Sequence, residues 1–540
     1  MNENLASVYE VIADAIPDRE VVVQGSRRII WSELDDRAAR LAAHLAAAGI
    51  GRDDRVVICL FNSVEYLEAT LAVCKLRAVP VNVNYRASAR ELHYLMENCN
   101  AKAVVFHQST SVAVGGAAAQ LPGVTALLAV ADDSGVTLPN GSVDYDAALT
   151  ARAPAERVAR DGSDQLIIFT GGTTGMPKAV LWRHRDLLAA QNRNSGFSGP
   201  VSEIGDVVRR AVAEGKAPIN FVLPPMMHST GLLGALGSLR SGGTLVLSSS
   251  RSLDPDLVWR EVSREKVGNL TIVGDVYSRP LVEALQRLNP DEARSLTKSL
   301  NIIRSVGVRW SPDSKADLLE FIDATLIDTL ASSEGGPVAM ARTTRGDKEI
   351  KSTFELVNGA WLMDDDGEPV PPGSGKVGMV VSAGILPDGY LGDQSDGKSG
   401  TFRVINGKRY AVTGDYGRAE VDGTLTLIGR GSGVINTGGE KVFAEEVEAV
   451  LGSYPGVEDV IVAGIPDKRW GHVLSAVVAL QEGASVSEAD LIAHVGAELA
   501  GYKKPRHIRF VDQIQRTTAG KADRQWAAKH LADAILGQPA

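Results

Sequence analysis

The chain has 540 residues, 44% of them apolar and 23% charged. At about 100–200 residues per domain this is a multi-domain globular protein, which excludes a peptide, a disulfide scaffold or a long disordered segment. Lys and Arg total 56 against 66 Asp and Glu, a formal charge of -10, so the basic excess that phosphate-backbone binding requires is missing and nucleic acid is a poor partner.

The N-terminal Met-Asn-Glu-Asn has no basic stretch with an apolar run behind it, and no apolar run approaches the ~18 residues that span a bilayer. Cys59, Cys74 and Cys99 show no metal-ligand spacing and read as reduced thiols. The expectation is a cytoplasmic protein without an integral membrane segment. From residue 20 to about 106, β-rich apolar runs alternate with helical patterns, the signature of a largely parallel sheet with crossover helices. Ser32 is the expected N-cap of the first such helix, with Asp35 three residues on, Leu34, Ala38, Leu41 and Leu45 on one face, and Gly49 as its stop. Strands are expected at 55–60, 79–83 and 103–106, helices at 64–78 and 88–100, and surface loop over 131–163 before the strand 166–169.

The last hundred or so residues read as short strands and two capped helices. Phe443, Val447, Val450 and Leu451 make one helical face, and Ser487 with Asp490 caps the second helix. A boundary is placed at Gly429–Gly433, where Gly-Arg-Gly-Ser-Gly has the freedom of a hinge. The expected domains are 1–429, a hinge at 430–433, and 434–540. The fold class is α/β: a large N-terminal domain of layered sheets and helices with a small, mobile α+β domain behind it.

The strongest local signal is Phe169-Thr-Gly-Gly-Thr-Thr-Gly-Met-Pro-Lys178, directly after an apolar strand. Gly171, Gly172 and Gly175 let backbone N–H groups wrap an anion, Thr173 and Thr174 supply hydroxyls, and Lys178 a mobile cation. The Gly-Lys-Ser/Thr ending of a Walker loop is absent. A Gly/Thr-rich hairpin without a ligand is the alternative reading of this run alone.

Here the sequence resembles the adenylate-forming enzymes: acyl-CoA synthetases, firefly luciferase and peptide-synthetase adenylation domains. Phe169–Lys178 is similar to the family's phosphate loop, Leu223-Pro-Pro-Met-Met-His228-Ser-Thr-Gly231 to its Pro-x-x-His-x-x-Gly segment, and Ser332-Ser333-Glu334 to its Thr/Ser-Glu motif. Tyr410-Ala-Val-Thr-Gly-Asp415, Gly429-Arg430, Gly438-Gly439-Glu-Lys and Arg516-Thr-Thr-Ala-Gly-Lys521 follow in the family's order. Together they span residues from about 20 to 525.

The resemblance implies a two-step reaction with ATP, Mg²⁺ and CoA. A carboxylate attacks the α-phosphorus to give an acyl-adenylate, and a thiol then displaces AMP. It implies that residues 170–175 and Lys178 hold the β- and γ-phosphates, that Thr174 and Glu334 serve the metal, and that Ser333 contacts the nucleotide. Asp415 would accept the ribose hydroxyls, Arg430 would meet ribose or phosphate, and Lys521 would reach the α-phosphate. Thr174, Lys178, Glu334 and Lys521 are the expected catalytic set. His228, Met227, Gly231, Leu232 and Trp310 are expected at the acyl pocket, Gly438 and Gly439 at the thiol tunnel, and Ser432 at the hinge. A lone His beside two Met is read equally as a core histidine.

Departures are visible too. Leu330-Ala331 stand where the family carries an aromatic and a glycine, and Ser305-Val-Gly-Val-Arg-Trp310 replaces the usual Gly-Gly-Ala-Pro. Gly307, Val308 and Asp328 are therefore the expected adenine contacts, without the usual stacked ring. Gly-Gly-Thr-Thr-Gly-Met-Pro-Lys-Ala-Val-Leu-Trp-Arg-His and Val273-Gly-Asp-Val-Tyr-Ser-Arg-Pro280 resemble bacterial synthetases acting on fatty or sterol side-chain acids. The expectation is an AMP-forming acid–CoA ligase for a medium- or long-chain, branched or sterol-derived acid. No carrier domain is expected after residue 540, and a homodimer is left open. The alternatives are an acyl-AMP ligase that loads a separate carrier protein and, from another class, a non-catalytic nucleotide or acyl binder.

Overall fold

The computed structural model describes residues 4–170, 177–194, 204–213, 217–308, 310–347, 349–350, 352–364, 366–392, 400–437, 440–467, 471–499, 501–517 and 521–536. Contacts group the chain into two compact units. One comprises Met1–Ser352, Leu356–Ala360 and Ser382–Ala411; the other comprises Thr353–Glu355, Trp361–Val381 and Val412–Ala540.

The first unit contains two sheets with parallel centres. In one, Thr325–Ser332, Ile302–Val306, Asn269–Ile272, Ile219–Val222, Thr244–Leu247 and Glu20–Gln24 run parallel in that order, with antiparallel strands Gly336–Thr343 and Arg27–Ile30 at its ends. In the other, Gln165–Thr170, Val79–Asn82, Arg55–Cys59, Ala101–His107 and Ala126–Val130 run parallel, and Lys178–Arg183 turns back antiparallel beside the first of them. Strands covered on both faces send successive apolar side chains into different cores. Ile219–Val222 shows this: Phe221 enters the core that holds Trp259 and Leu318, while the next residue, Val222, enters the core that holds Leu232 and Leu236.

Local sequence fixes the helix starts. Asp254-Pro255, Asn289-Pro290 and Ser311-Pro312 each pair an N-cap side chain with a proline in the first turn, and each cap accepts a backbone N–H three residues on. Ser88 and Glu91 form a reciprocal capping box before Ala89–Asn98. The expected capping by Ser32 is not what forms: the helix is Trp31–Ala47, Ile30 stands at its N-cap, and no side chain caps it. Asp35 instead pairs with the buried Lys75 at 2.6 Å, which also meets Glu10 at 2.8 Å. The stretch 131–163 is not all loop, because it carries the strand Ser142–Asp144 and the helix Tyr145–Thr150. These elements are too short to show a period. They are held by the buried Tyr145, whose hydroxyl donates to Glu68 at 2.9 Å.

In the second unit, Val457–Asp467, Gly471–Leu480, Val434–Thr437 and Glu440–Phe443 form an antiparallel sheet, and His507–Val511 adds a parallel strand to Gly471–Leu480. Helices Ala444–Gly452 and Glu488–Glu498 place Val447, Leu451, Leu491 and Val495 in one core, and Arg524–Leu536 places Ala527 and Leu531 in another. Ser487 and Asp490 form the expected capping box. Residues 430–433 lie inside this unit. Among the described residues no helix is long and apolar enough to cross a membrane. All three cysteines are free and buried, and burial pushes each thiol up to about 12, so none is poised as a nucleophile.

Candidate active site

The strand Gln165–Thr170 delivers Thr170 to the end of the parallel sheet, and the returning strand opens with Lys178 directly opposite it. Gly171, Gly172, Thr173, Thr174 and Gly175 connect the two and lie outside the described residues. Phe169 is buried, whereas Thr170 is half-buried and Lys178 exposed, which leaves a hydroxyl and a cation at the accessible end of an apolar strand.

Glu334 arrives from the neighbouring sheet on the tight turn between Thr325–Ser332 and Gly336–Thr343. The Ser332 hydroxyl accepts the Gly335 N–H at 2.9 Å, and the Ser382 hydroxyl donates to the Gly335 carbonyl at 2.7 Å. A side chain at Gly335 would meet Ser382 Cβ at 2.8 Å, and Gly336 has φ of +63°, so the turn needs both glycines. Glu334 Oε1 accepts from the Tyr390 hydroxyl at 2.9 Å and lies 3.5 Å from Thr170 Oγ1. Lys178 Nζ stands 4.9 Å from the centre of the Tyr390 ring. Trp182 Nε1 donates to the Ser333 carbonyl at 3.0 Å, and the Ser333 hydroxyl meets that of Ser229 at 3.0 Å. Thr170, Lys178, Ser333 and Glu334, separate in sequence, thus form one cluster. Tyr390 belongs to it and escapes sequence reasoning, because its strand, Gly389–Tyr390, has two residues and shows no pattern.

His228 is the N-cap residue of the helix Ser229–Arg240. Before it, residues 224–227 are anchored by side chains of an earlier part of the chain. Asn62 donates to the Pro224 carbonyl at 3.0 Å and accepts the Met226 N–H at 2.6 Å; Tyr66 donates to the Met226 carbonyl at 2.9 Å; Asn82 donates to the Met227 carbonyl at 2.5 Å. A side chain at Gly231 would fall 2.3 Å from the Pro225 carbonyl oxygen and 2.5 Å from that of Pro224, so only glycine fits there. Met226, Met227 and Leu232 are buried. Trp310 does not join them: it packs in the opposite core with Leu318 and donates to Ser278 Oγ at 3.0 Å.

Asp328 is also committed elsewhere, since its carboxylate is buried and bonds Lys315 Nζ at 2.8 Å. Burial raises its pKa, and the Lys315 charge opposes that shift. Gly307 has φ of +104°, and Val308 beside it is half-buried.

In the second unit, Asp415 is buried, accepts from the Thr413 hydroxyl at 2.8 Å and pairs in register with Arg430. Ser432 lies in the short turn Gly431–Gly433; the Arg430 and Ser432 side chains lie outside the described set, as do Gly438 and Gly439. The Glu445 carboxylate packs beside Gly429 and Gly433, where an added Cβ would approach it to 2.5 and 2.6 Å. Lys521 and Thr517 bond reciprocally, the Lys521 N–H to Thr517 Oγ1 at 3.1 Å and the Thr517 N–H to the Lys521 carbonyl at 2.9 Å. Among the described residues no group of three or more His, Cys, Asp or Glu is placed to hold a metal ion.

The fold is that of the adenylate-forming enzymes. ATP-bound MatB from Rhodopseudomonas palustris superposes with a TM-score of 0.82 over 99% of this chain and 100% of its own at 23% identity, and the anthranilate CoA ligase AuaEII with anthranoyl-AMP also gives 0.82, at 20% identity over 99% and 98%. Residues 9–390 match the AMP-binding enzyme family and residues 446–521 the AMP-binding enzyme C-terminal domain; the chain belongs to this family. It is 38% identical to a 3-oxocholest-4-en-26-oate–CoA ligase of Rhodococcus rhodochrous over 97% of this chain and 95% of that one. It is also 38% identical to the medium-chain acyl-CoA ligase Mig of Mycobacterium avium, over 96% and 97% of the two chains.

Proposed function

We propose that this protein is an ATP-dependent, AMP-forming carboxylic acid–CoA ligase working through an acyl-adenylate, on a medium- or long-chain, branched or sterol-derived acid. The carrying observation is the convergence of Thr170, Lys178 and Glu334 at the end of the phosphate-loop strand, joined to the segment behind His228 by the 3.0 Å contact of Ser333 with Ser229. Names of the relatives supply the acid class, and the buried Met226, Met227 and Leu232 support an apolar acyl chain.

In the first step a carboxylate oxygen bonds the α-phosphorus and pyrophosphate leaves. In the second, the CoA sulfur bonds the acyl carbon and AMP leaves with one oxygen of the acid. Both steps build negative charge on oxygens, which positioned cations and N–H donors stabilise. Residues 170–175 and Lys178 would hold the β- and γ-phosphates, Asp415 the ribose, Arg430 the ribose or a phosphate, and Lys521 the α-phosphate. The Glu334 carboxylate and the Thr174 hydroxyl are hard oxygen donors that suit Mg²⁺, which when bound neutralises phosphate charge. The hinge at 430–433, with Ser432, would reposition the C-terminal segment between steps, and Gly438 and Gly439 would let the pantetheine arm pass.

The test is acid-dependent pyrophosphate release from ATP with acetate, octanoate, palmitate, benzoate and a cholesterol-derived acid, each with and without CoA. Octanoate, palmitate or the sterol acid giving AMP and an acyl-CoA supports the proposal. Pyrophosphate without a CoA thioester points to carrier loading, and silence with every acid contradicts an enzymatic role on this class.

A further inference from the structure

We propose that Asn82 is a positioning residue that couples acid binding to nucleotide binding. This rests on the assignment of residues 170–178 to the phosphates and of the Met227–His228 segment to the acid. Asn82 ends the strand Val79–Asn82, pairs in register with Ile58 on one side and Ile168 on the other, and is 2% exposed. Asparagine is a poor strand former and rarely so buried, and here both ends of its amide are used. Oδ1 accepts the Phe169 N–H at 3.1 Å, and Nδ2 donates to the Met227 carbonyl at 2.5 Å. The orientation is forced, since a peptide N–H only donates and a carbonyl only accepts.

One planar group therefore ties the last buried residue before the phosphate loop to the residue before His228. Asn62 and Tyr66 hold the same Pro224–Met226 stretch without a hydrogen bond to the phosphate strand among the described residues. Any shift of Met227 on seating an acid turns the Asn82 amide and moves Phe169, and phosphate binding at the loop acts back on Met227 by the same factor. An apolar residue of this size would leave a buried N–H and a buried carbonyl without this bridge.

The experiment compares the Kd of α,β-methylene-ATP, by calorimetry on the full chain, with and without saturating octanoate. The wild type is expected to bind the nucleotide about tenfold tighter with the acid present. In Asn82→Ala that ratio falls close to one. In Asn62→Ala the acid binds more weakly but the ratio stays at the wild-type value, which a merely structural effect at Asn82 would not produce. Asn82→Asp keeps an acceptor for Phe169, faces an oxygen toward the Met227 carbonyl, and is also expected to lose the coupling; it serves where Asn82→Ala fails to fold. A folded Asn82 variant with the wild-type ratio, or a wild type with a ratio of one, overturns the inference. A wild type that releases no pyrophosphate with any acid of the panel instead defeats the functional assignment.

Discussion

The Tyr390 hydroxyl donates to Glu334 Oε1 at 2.9 Å while its ring faces Lys178 Nζ at 4.9 Å. One side chain from a two-residue strand thus contacts both charged groups of the proposed phosphate site. A hydrogen bond to a charged group contributes about 1.5–3 kcal/mol. Tyr390→Phe keeps the ring, removes the bond, and is expected to lower kcat/KM for ATP by roughly 10- to 100-fold and to raise the Mg²⁺ concentration needed for half-maximal pyrophosphate release. Unchanged Mg²⁺ dependence would detach Tyr390 from Glu334's role.

Lys521 is assigned to the first half-reaction alone. Lys521→Ala is expected to slow acid-dependent pyrophosphate formation by at least about 100-fold, the usual effect of removing a charge-stabilising group. Thioester formation from preformed acyl-AMP and CoA should proceed at nearly the wild-type rate. Equal loss in both assays contradicts this division of labour.

Gly231 has carbonyl oxygens where a methyl group would stand. Gly231→Ala must displace residues 224–225 or the helix start at Ser229, and overpacking of this kind costs about 1–3 kcal/mol. The expected result is a lower Tm together with a KM for the acid raised more than the KM for ATP. A variant with wild-type Tm and KM would show that this packing is not needed.

Burial holds the His184 imidazole neutral down to about pH 3 and that of His107 down to about 4. An unfolded histidine takes up a proton below about 6.5, so between these limits the unfolded chain binds more protons and stability is lost as the pH falls. At pH 5 the expected loss from His184 is about 2 kcal/mol relative to pH 7. His184→Gln should reduce the difference in unfolding free energy between pH 7 and pH 5 by about that amount. An unaltered pH dependence in denaturant titrations contradicts it.

Much of this organisation is legible in the chain itself, for reasons that differ by element. The parallel strands announce themselves because burial on both faces favours nearly continuous apolar runs, and the capping box at Ser487 is a local code that packing does not override. Ser32 misleads because the helix starts at Trp31, one residue before it, the Trp31 and Ser32 N–H groups donating to the Arg19 and Pro17 carbonyls at 3.0 Å; no local rule reports those partners. The order of Thr170, Lys178 and Glu334 in their motifs marks the candidate site, but Tyr390, Asn62 and Asn82 gain their roles only from hydrogen bonds to residues between 87 and 164 positions distant in the chain, or 56 in the case of Tyr390. Trp310 misleads in the opposite sense: an aromatic close to the motif in sequence, just ahead of the helix Pro312–Phe321, packs in the core with Leu318.

The proposed reaction begins with attack of a carboxylate oxygen on the α-phosphorus. Turnover of octanoate labelled with ¹⁸O at both carboxyl oxygens, with ATP, Mg²⁺ and CoA, tests it directly by mass spectrometry of the products. The expected products are AMP carrying one ¹⁸O atom and unlabelled pyrophosphate. Label in inorganic phosphate together with ADP would mean attack at the γ-phosphorus through an acyl phosphate, and would contradict it.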